Sequence, residues 1–341
     1  MSASNHRVTT PNSYHHLMSR VAHQVFILTE DVRSDLLEII RRSAEFHGIE
    51  LIAWCVMTNH FHLLVYLPQP GTLGEDEIVR RYGLLYGEAR REALVTKLAT
   101  LRKSHPSDDS KAQVILKQLT DRMYKISEFM KVIKQWLTQE YNRRYTHKGT
   151  LWDSVYKDIL VRGHPTDLAK RAGYIHLNPV RTATTPRFDE YRWSSLTALR
   201  RGDELALSGL RTIYGTDCSG EEILTAHKHL MSELLEQYKL ERAREIAEKR
   251  MAGLHIEADH LTSETLIAQA KAQIEASMTA CAEANIVERA KRGRPVNANY
   301  EHQIKKLLKA NQKLNACAIA EATGCSVTTA YRHIKKLTKA R

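Results

Sequence analysis

Cys55-Val56-Met57-Thr58-Asn59-His60-Phe61-His62-Leu63-Leu64-Val65-Tyr66 is the stretch whose reading decides the fold. Leu51, Ile52, Ala53 and Trp54 lie just upstream, so the pattern reads as strand, tight bend, strand, over about residues 50–57 and 60–67. Side chains alternate along a strand, which puts His60 and His62 on one face and Phe61 on the other. Two imidazoles side by side make half of a metal site. An isolated His-x-His is more often a polar pair on a solvated strand face, and a second segment changes those odds.

That segment is Ala172-Gly173-Tyr174-Ile175-His176-Leu177-Asn178-Pro179-Val180-Arg181. It reads as the end of a helix on which Tyr174 and Asn178, four apart, share a face, with Pro179 as the expected stop. A phenol and an amide on a helix, together with two histidines on a strand, are the parts needed for metal-assisted attack on a phosphodiester. The cation draws charge from the phosphate, the tyrosine attacks, and a covalent phosphotyrosine conserves the bond energy for rejoining.

These segments resemble the His-hydrophobic-His motif and the tyrosine helix of the single-tyrosine HUH transposases, most closely the REP-associated tyrosine transposase branch. The resemblance covers about residues 13–200, where Gly149-Thr150-Leu151-Trp152, Asn178-Pro179-Val180-Arg181 and Tyr191-Arg192-Trp193-Ser194-Ser195 are further signatures. It implies the HUH nuclease fold and Tyr174 as nucleophile. It also implies His60, His62 and Asn178 as ligands of a divalent metal ion, Mg2+ or Mn2+, with single-stranded hairpin DNA as substrate and a monomer or homodimer as the active form. Magnesium prefers oxygen ligands, whereas manganese tolerates imidazole better. A tyrosine phenol is ordinarily protonated near neutrality, so the nucleophile needs the metal or a base beside it. Tyr14, Tyr66, Tyr141, Tyr145 and Tyr156 compete for the role, but only Tyr174 brings its own candidate ligand. Thr58 stands where the family commonly has proline, which predicts a looser start to the second strand. After Arg181, Thr182-Ala183-Thr184-Thr185 replaces the usual small residues.

Outward from this centre, residues 14–20 read as a first strand, followed by the apolar run 25–28. Thr29 caps a helix with Glu30 and Asp31 in its first turn and Leu36, Leu37, Ile39, Ile40 and Ala44 at helical spacing, ended at Gly48. Strand, helix, strand, strand suits a ferredoxin-like antiparallel sheet with helices on one face. One charged helix is expected over about residues 76–102, a polar loop over 104–110, and a second helix over about 111–145 carrying Phe129, Ile133, Trp136, Leu137 and Tyr141. On its exposed face Lys131, Lys134, Arg143 and Arg144 are either solvated or placed to track nucleic acid. A strand over residues 155–161 leads to the tyrosine helix, which starts at Pro165. Residues 208–220 read as a loop and boundary, followed by helices over about 221–251 and 261–286.

Among the 341 residues no apolar stretch approaches a bilayer span, and the start lacks the hydrophobic core of a signal peptide. A cytoplasmic protein with no membrane partner is expected. The 5 cysteines are scattered, without the C-x-x-C spacing of a zinc site or a disulfide framework. Charge is concentrated at the end. From Arg289 to Arg341, 13 Lys and Arg face only Glu301 and Glu321, a net +11 of the formal +12. Such a block is the footprint of nucleic-acid contact.

Arg292 and Arg294 sit in a Gly-Arg-Pro core, either an AT-hook-like element for a narrow minor groove or a plain basic linker. Residues 316–337 read as two short helices joined at Gly324, the second capped by Ser326. It presents Thr328, Thr329 and Arg332, with Lys335 and Lys336 further along. That is a helix-turn-helix pattern for duplex DNA, or else a small three-helix bundle for a protein. The expected organisation is α+β followed by an all-α C-terminal region. It comprises a transposase/nuclease domain over 1–200, a helical connector over 201–288 and a DNA-binding block over 289–341. The expected function is a metal-dependent single-stranded DNA endonuclease and strand transferase at hairpin or palindromic ends. The alternatives are a catalytically idle DNA-binding regulator, or a replication initiator or relaxase of the same class. No phosphate-binding G-x-x-x-x-G-K-[ST] loop is present.

Overall fold

The computed structural model describes residues 10–104 and 109–291 and the single residues 306 and 322. Strands β1 (Ser13–Arg20), β2 (Glu50–Val56), β3 (His60–Leu67) and β4 (Lys157–Val161) form one antiparallel sheet in the order β2-β3-β1-β4, the ferredoxin-like arrangement. Helix α1 (Glu30–His47) carries the chain from β1 to β2. Glu30 and Asp31 sit at the positive end of its dipole. Gly48 ends it at φ 64°, where a Cβ would lie 2.6 Å from Arg81 and 2.7 Å from Tyr124.

Four helices, not the expected two, connect β3 to β4: α2 (Glu75–Tyr86), α3 (Glu88–Ser104), α4 (Ser110–Thr120) and α5 (Ile126–Tyr145). Gly87, at φ 92°, separates the first two. Between the last two, the Tyr124 N–H donates to the His47 carbonyl over 2.7 Å, which pins that turn to the end of α1. Helices α2 to α4 gather a second small core around Phe46, Ile78, Leu85, Leu98 and Leu116. The main core lies between the sheet and its helices, with Leu17, Trp54, Phe61, Leu63 and Phe129 among its fully buried members.

Paired strand residues point to the same side. His62 lies opposite Met18, so His16, Met18, His60 and His62 share a face. Phe61 looks the other way, with the Trp152 ring edge-on at 5.7 Å, and the Trp152 indole donates to the Lys134 carbonyl of α5. Trp54, on that same side, takes the Arg41 guanidinium of α1 at 5.2 Å. Helices α1 and α5 therefore cover the Phe61 face. Helix α6 (Pro165–Arg181) lies on the histidine face instead, its Tyr174 ring 6.1 Å from His62. Both faces are covered, contrary to the expectation of one, because α5 is the second crossover and α6 is added after β4.

Pro179 does not stop α6, which continues to Arg181. Proline lacks the N–H that would bond to the Ile175 carbonyl. The side chain of Asn178 compensates, its Nδ2 donating to the Tyr174 carbonyl at 3.0 Å and to the Ile175 carbonyl at 3.3 Å.

Three of the elements that follow are α7 (Ser195–Arg200), α8 (Glu204–Tyr214) and α9 (Gly220–Met251), and α10 (Glu264–Lys291) comes last among the described residues. Helix α8 takes residues 208–214 of the loop expected at 208–220, and only residues 215–219 are loop. A Cβ on Gly209 would sit 2.4 Å from the Leu51 carbonyl oxygen and 2.6 Å from that of Ile52. The missing side chain lets the helix backbone press directly on the bulge where the β2 register shifts between Leu51 and Ala53. Met1–Ile267 form one compact unit and Ala268–Arg341 another, so α7 to α9 belong with the sheet. Among the described residues no helix is long and apolar enough to cross a membrane.

Because Gly209 meets backbone, Gly209→Ala should destabilise the protein by about 1–3 kcal/mol, the usual range for overpacking. Gly71→Ala, where a Cβ would meet nothing within 4 Å, should stay near wild type. Urea unfolding followed by circular dichroism checks both, and equal midpoints for the two variants would contradict this account of α8.

Candidate active site

The bend before β3 is held from outside. The Val21 N–H donates to the Asn59 carbonyl over 2.8 Å, the Leu28 N–H to the Thr58 carbonyl over 3.0 Å, and Asn59 Nδ2 to the Gln24 carbonyl over 3.0 Å. The looser strand start predicted from Thr58 is therefore not found, since residues 21–28 brace the bend in place of a proline ring. Asn59 also reaches forward, its Oδ1 lying 2.7 Å from His60 Nδ1. With the proton on Nδ1, His60 keeps a lone pair on Nε2.

His62 is 2% exposed. Its Nδ1 lies 2.9 Å from His16 Nε2, while its own Nε2 is buried with no partner. A buried polar atom without a partner is uncommon and asks for one. Two proton arrangements satisfy the pair. In the first, His62 donates from Nδ1 and Nε2 carries a lone pair, as a metal ligand must. In the second, Arg171 Nη1, 3.4 Å from His16 Nδ1, donates there, His16 donates to His62, and His62 Nε2 is protonated. Arginine can only donate, so the tautomer of His62 depends on where Arg171 points.

Tyr174 is 38% exposed, and its ring lies 5.9 Å from that of His16 and 6.1 Å from that of His62. The guanidinium carbons of Arg181 and Arg171 stand 4.7 and 5.8 Å from the same ring. One turn further along α6, Asn178 is buried. Its Nδ2 is spent on the helix backbone, and its Oδ1 makes no hydrogen bond among the described residues. The fold thus brings Tyr174 beside His62, with His60 next to His62 at 5.0 Å between rings.

The donor set suits a divalent ion of borderline character: two imidazole nitrogens and an amide oxygen. Among the described residues no three His, Cys, Asp or Glu could together hold an ion, so the third protein ligand would have to be the amide. Burial, with the nearby Arg20 charge, pushes the His60 pKa down to about 4. Burial and then Arg171 do the same for His16. Burial, then His60 and His16, hold His62 well below the ordinary imidazole range. Neutral imidazole is the form that ligates metal.

The other tyrosines pack against one another. Tyr14 and Tyr66 lie on the histidine face with their rings tilted together at 4.7 Å, and Tyr141 and Tyr145 pair in the same way at 4.5 Å on α5, behind the opposite face of the sheet. The sequence reading missed His16, Arg171 and Arg181. Tyr14-His15-His16 held the signal, since adjacent strand residues face opposite ways and only one of two neighbouring histidines can join His60 and His62. His15 turns from them and pairs with Asp158 at 2.8 Å. Arg292, Arg294, Thr328, Thr329, Arg332, Lys335 and Lys336 lie outside the described residues.

Beneath α6 a second polar chain fixes the helix. Trp54 N–H donates to Ser195 Oγ (2.9 Å), which lies 2.6 Å from His176 Nε2. His176 Nδ1 is 2.8 Å from His227 Nε2, and His227 Nδ1 is 2.7 Å from the Tyr214 hydroxyl. Either proton direction along this chain has both imidazoles neutral, and protonating both would point N–H at N–H between the two rings. Burial accordingly depresses both.

Residues 9–82 match the family model described as Transposase IS200 like, and residues 301–341 match one described as HTH domain. The chain is thus similar to an IS200-like transposase domain toward its N-terminus and to an HTH domain over residues 301–341, a likeness that supports transposase activity and DNA as a partner. Among solved structures it is similar to that of a REP-associated tyrosine transposase bound to a REP hairpin, at 16% identity and a TM-score of 0.37, over 59% of this chain and 87% of that one. No curated protein matches.

The depressed histidines make stability depend on pH. His16, His47, His60 and His227 sit near 4 in the folded chain, against an unfolded value of about 6.5. Between those limits the unfolded chain binds more protons, so stability falls as pH falls. The melting temperature should drop steadily from pH 7 to about pH 4.5, and a flat or rising curve would contradict the buried neutral assignment.

Proposed function

We propose that this chain cuts and rejoins single-stranded DNA at folded or palindromic ends through Tyr174, with His60, His62 and Asn178 holding a divalent cation, Mg2+ or Mn2+. The observation that carries the reading is an exposed phenol beside a buried imidazole whose Nε2 has no protein partner. When bound, the cation would supply Lewis-acid charge to a phosphate oxygen. Tyr174 Oη forms a bond to phosphorus while the bond from phosphorus to the sugar oxygen breaks. The phenolic proton ends on that departing oxygen as a free hydroxyl. The tyrosine phosphodiester keeps the bond energy, so a hydroxyl attacking in reverse rejoins the strand. Arg171 and Arg181, already beside the phenol, offset the negative charge that gathers at the reacting group.

Tyrosine and histidines approach one another within one chain, which supports assembly in cis and makes a monomer sufficient for the chemistry. The unit up to Ile267, α7 to α9 included, would supply catalysis, rather than residues 1–200 alone with 201–288 as a connector. Residues 289–341 would hold duplex DNA through Arg292, Arg294, Thr328, Thr329, Arg332, Lys335 and Lys336. A cytoplasmic location follows from such a substrate.

Incubated with labelled hairpin DNA and Mn2+, the native chain should yield a protein–DNA adduct that survives denaturation. Tyr174→Phe should yield none, and His62→Ala should lower the yield at least about a hundredfold, in line with loss of metal assistance. An adduct retained in Tyr174→Phe would sink the assignment. His16→Ala should weaken Mn2+ binding about 10- to 100-fold, the usual effect of removing a group that orients a ligand, with its circular dichroism spectrum unchanged. Mn2+ titration by electron paramagnetic resonance without DNA reads this directly, and unaltered affinity would remove His16 from the site.

A further inference from the structure

We propose that the cleft between β4, α6 and α9 is a single-stranded DNA subsite for the nucleotide next to the scissile phosphate. Arg171 and Arg181 take its phosphate, and Tyr238 stacks on its base. This deepens the function proposed above and rests on it. The cleft has a volume of about 570 Å3, and Arg162, Lys170, Arg171, Tyr174, Arg181 and Tyr238 are among its lining residues. That size falls in the range of about 300–1,000 Å3 usual for ligand sites, enough for a nucleotide but not for a base pair with both its backbones.

Charge decides the class of ligand. Many arginines on other helices are matched: Arg80 with Glu77 and Glu45, Arg102 with Glu75 and Asp109, Arg144 with Asp35 and Glu140, Arg242 with Glu245 and Asp259. In the cleft, Arg162, Lys170, Arg171 and Arg181 form no ion pair among the described residues, although Asp167 and Glu241 also line it. Four unmatched cations beside an exposed nucleophilic phenol call for a polyanion.

Arg181 sets the geometry. Its guanidinium carbon lies 4.7 Å from the Tyr174 ring and 4.2 Å from the Tyr238 ring, and its Nε is buried without a partner. A planar cation held between two aromatic faces keeps its N–H edge for a phosphate, which it can grip with two parallel hydrogen bonds. Tyr238 is half-buried on α9, outside the segment that carries the transposase match. Its aromatic surface beside a phosphate-gripping cation is the arrangement by which proteins hold single-stranded nucleic acid whatever its sequence.

The test uses the full chain carrying Tyr174→Phe, so that nothing is cut, and a fluorescent twelve-nucleotide oligo-dT. Adding Tyr238→Ala should weaken binding about tenfold, while Tyr238→Phe, which keeps the ring, should bind as the parent does. Arg171→Gln and Arg181→Gln should each reduce the slope of log affinity against log salt by about 0.7. Oligo-dT bearing 5-iododeoxyuridine should photo-crosslink to Tyr238, mapped by mass spectrometry, a readout that needs no substitution in the cleft beyond Tyr174→Phe. Parent-like affinity in Tyr238→Ala, or crosslinks confined to residues 289–341, overturns the subsite. Full adduct formation by Tyr238→Ala in the Tyr174-bearing chain, with no loss of oligonucleotide affinity, refutes the subsite and leaves the chemistry. These binding signatures without any Tyr174 adduct refute the chemistry and leave the subsite.

Discussion

The contact between His62 Nδ1 and His16 Nε2, 2.9 Å across the two central strands, is the constraint on which the site depends. It is available only because β1 and β3 pair with Met18 opposite His62, which sets His16 one pleat away on the same face. A slip of one residue in that register would send His16 into the core packed by α1 and α5 and bring His15 up in its place. His15 could not replace it without abandoning Asp158, to which it is paired on the far side. Sheet register thus fixes which nitrogen of His62 is engaged and which is left open.

The position of Tyr174 depends on a different set of contacts. Helix α6 carries Tyr174 outward and His176 inward, two residues apart. The inward residue is locked through Ser195 to the β2 backbone and through His227 and Tyr214 to α9 and α8. Burial holds both rings neutral, and every ring nitrogen has a partner in the chain. One turn on, Pro179 frees a carbonyl and Asn178 takes it up, which also aims the amide by fixing its nitrogen. Asparagine at this position therefore answers a backbone need as well as any ligand role, and the two uses occupy opposite ends of one amide group.

Much of this was legible in the residues. The short apolar run after the bend at residues 60–67 and the Thr29 to Gly48 helix signals specified β3 and α1, because those patterns are local. What escaped was set by contacts between distant segments. Gly209 looks like a turn residue in isolation and is helical because β2 needs a close approach there. Pro179 looks like a stop and is tolerated because of its neighbour's side chain. Gly87 and the turn before Lys125 divide helices whose apolar spacing runs on across the breaks, so periodicity alone could not find them. At the site, the strand pair and the Tyr174–Asn178 spacing were visible. His16 left a trace in the His15-His16 pair on β1, whereas Arg171, Arg181 and Tyr238 left none, since nothing in their local sequence says that α6 and α9 meet.

The charges around the histidines bear on how a cation and a phosphate would share this place. Arg20 and Arg181 both disfavour a proton on His62, and Arg171 disfavours one on His16. The same positive field acts on a divalent ion with twice the charge, so ligation by neutral imidazoles alone is opposed by the arginines that stand closest. In the proposed reading an arriving phosphate would offset part of that field, and by drawing Arg171 from His16 Nδ1 it would favour the tautomer leaving a lone pair on His62 Nε2. Electrostatics and proton placement push in one direction. In the proposed reading metal and strand bind with positive linkage, and the arginines that hinder the ion in the empty cleft are the ones that hold the substrate whose charge admits it.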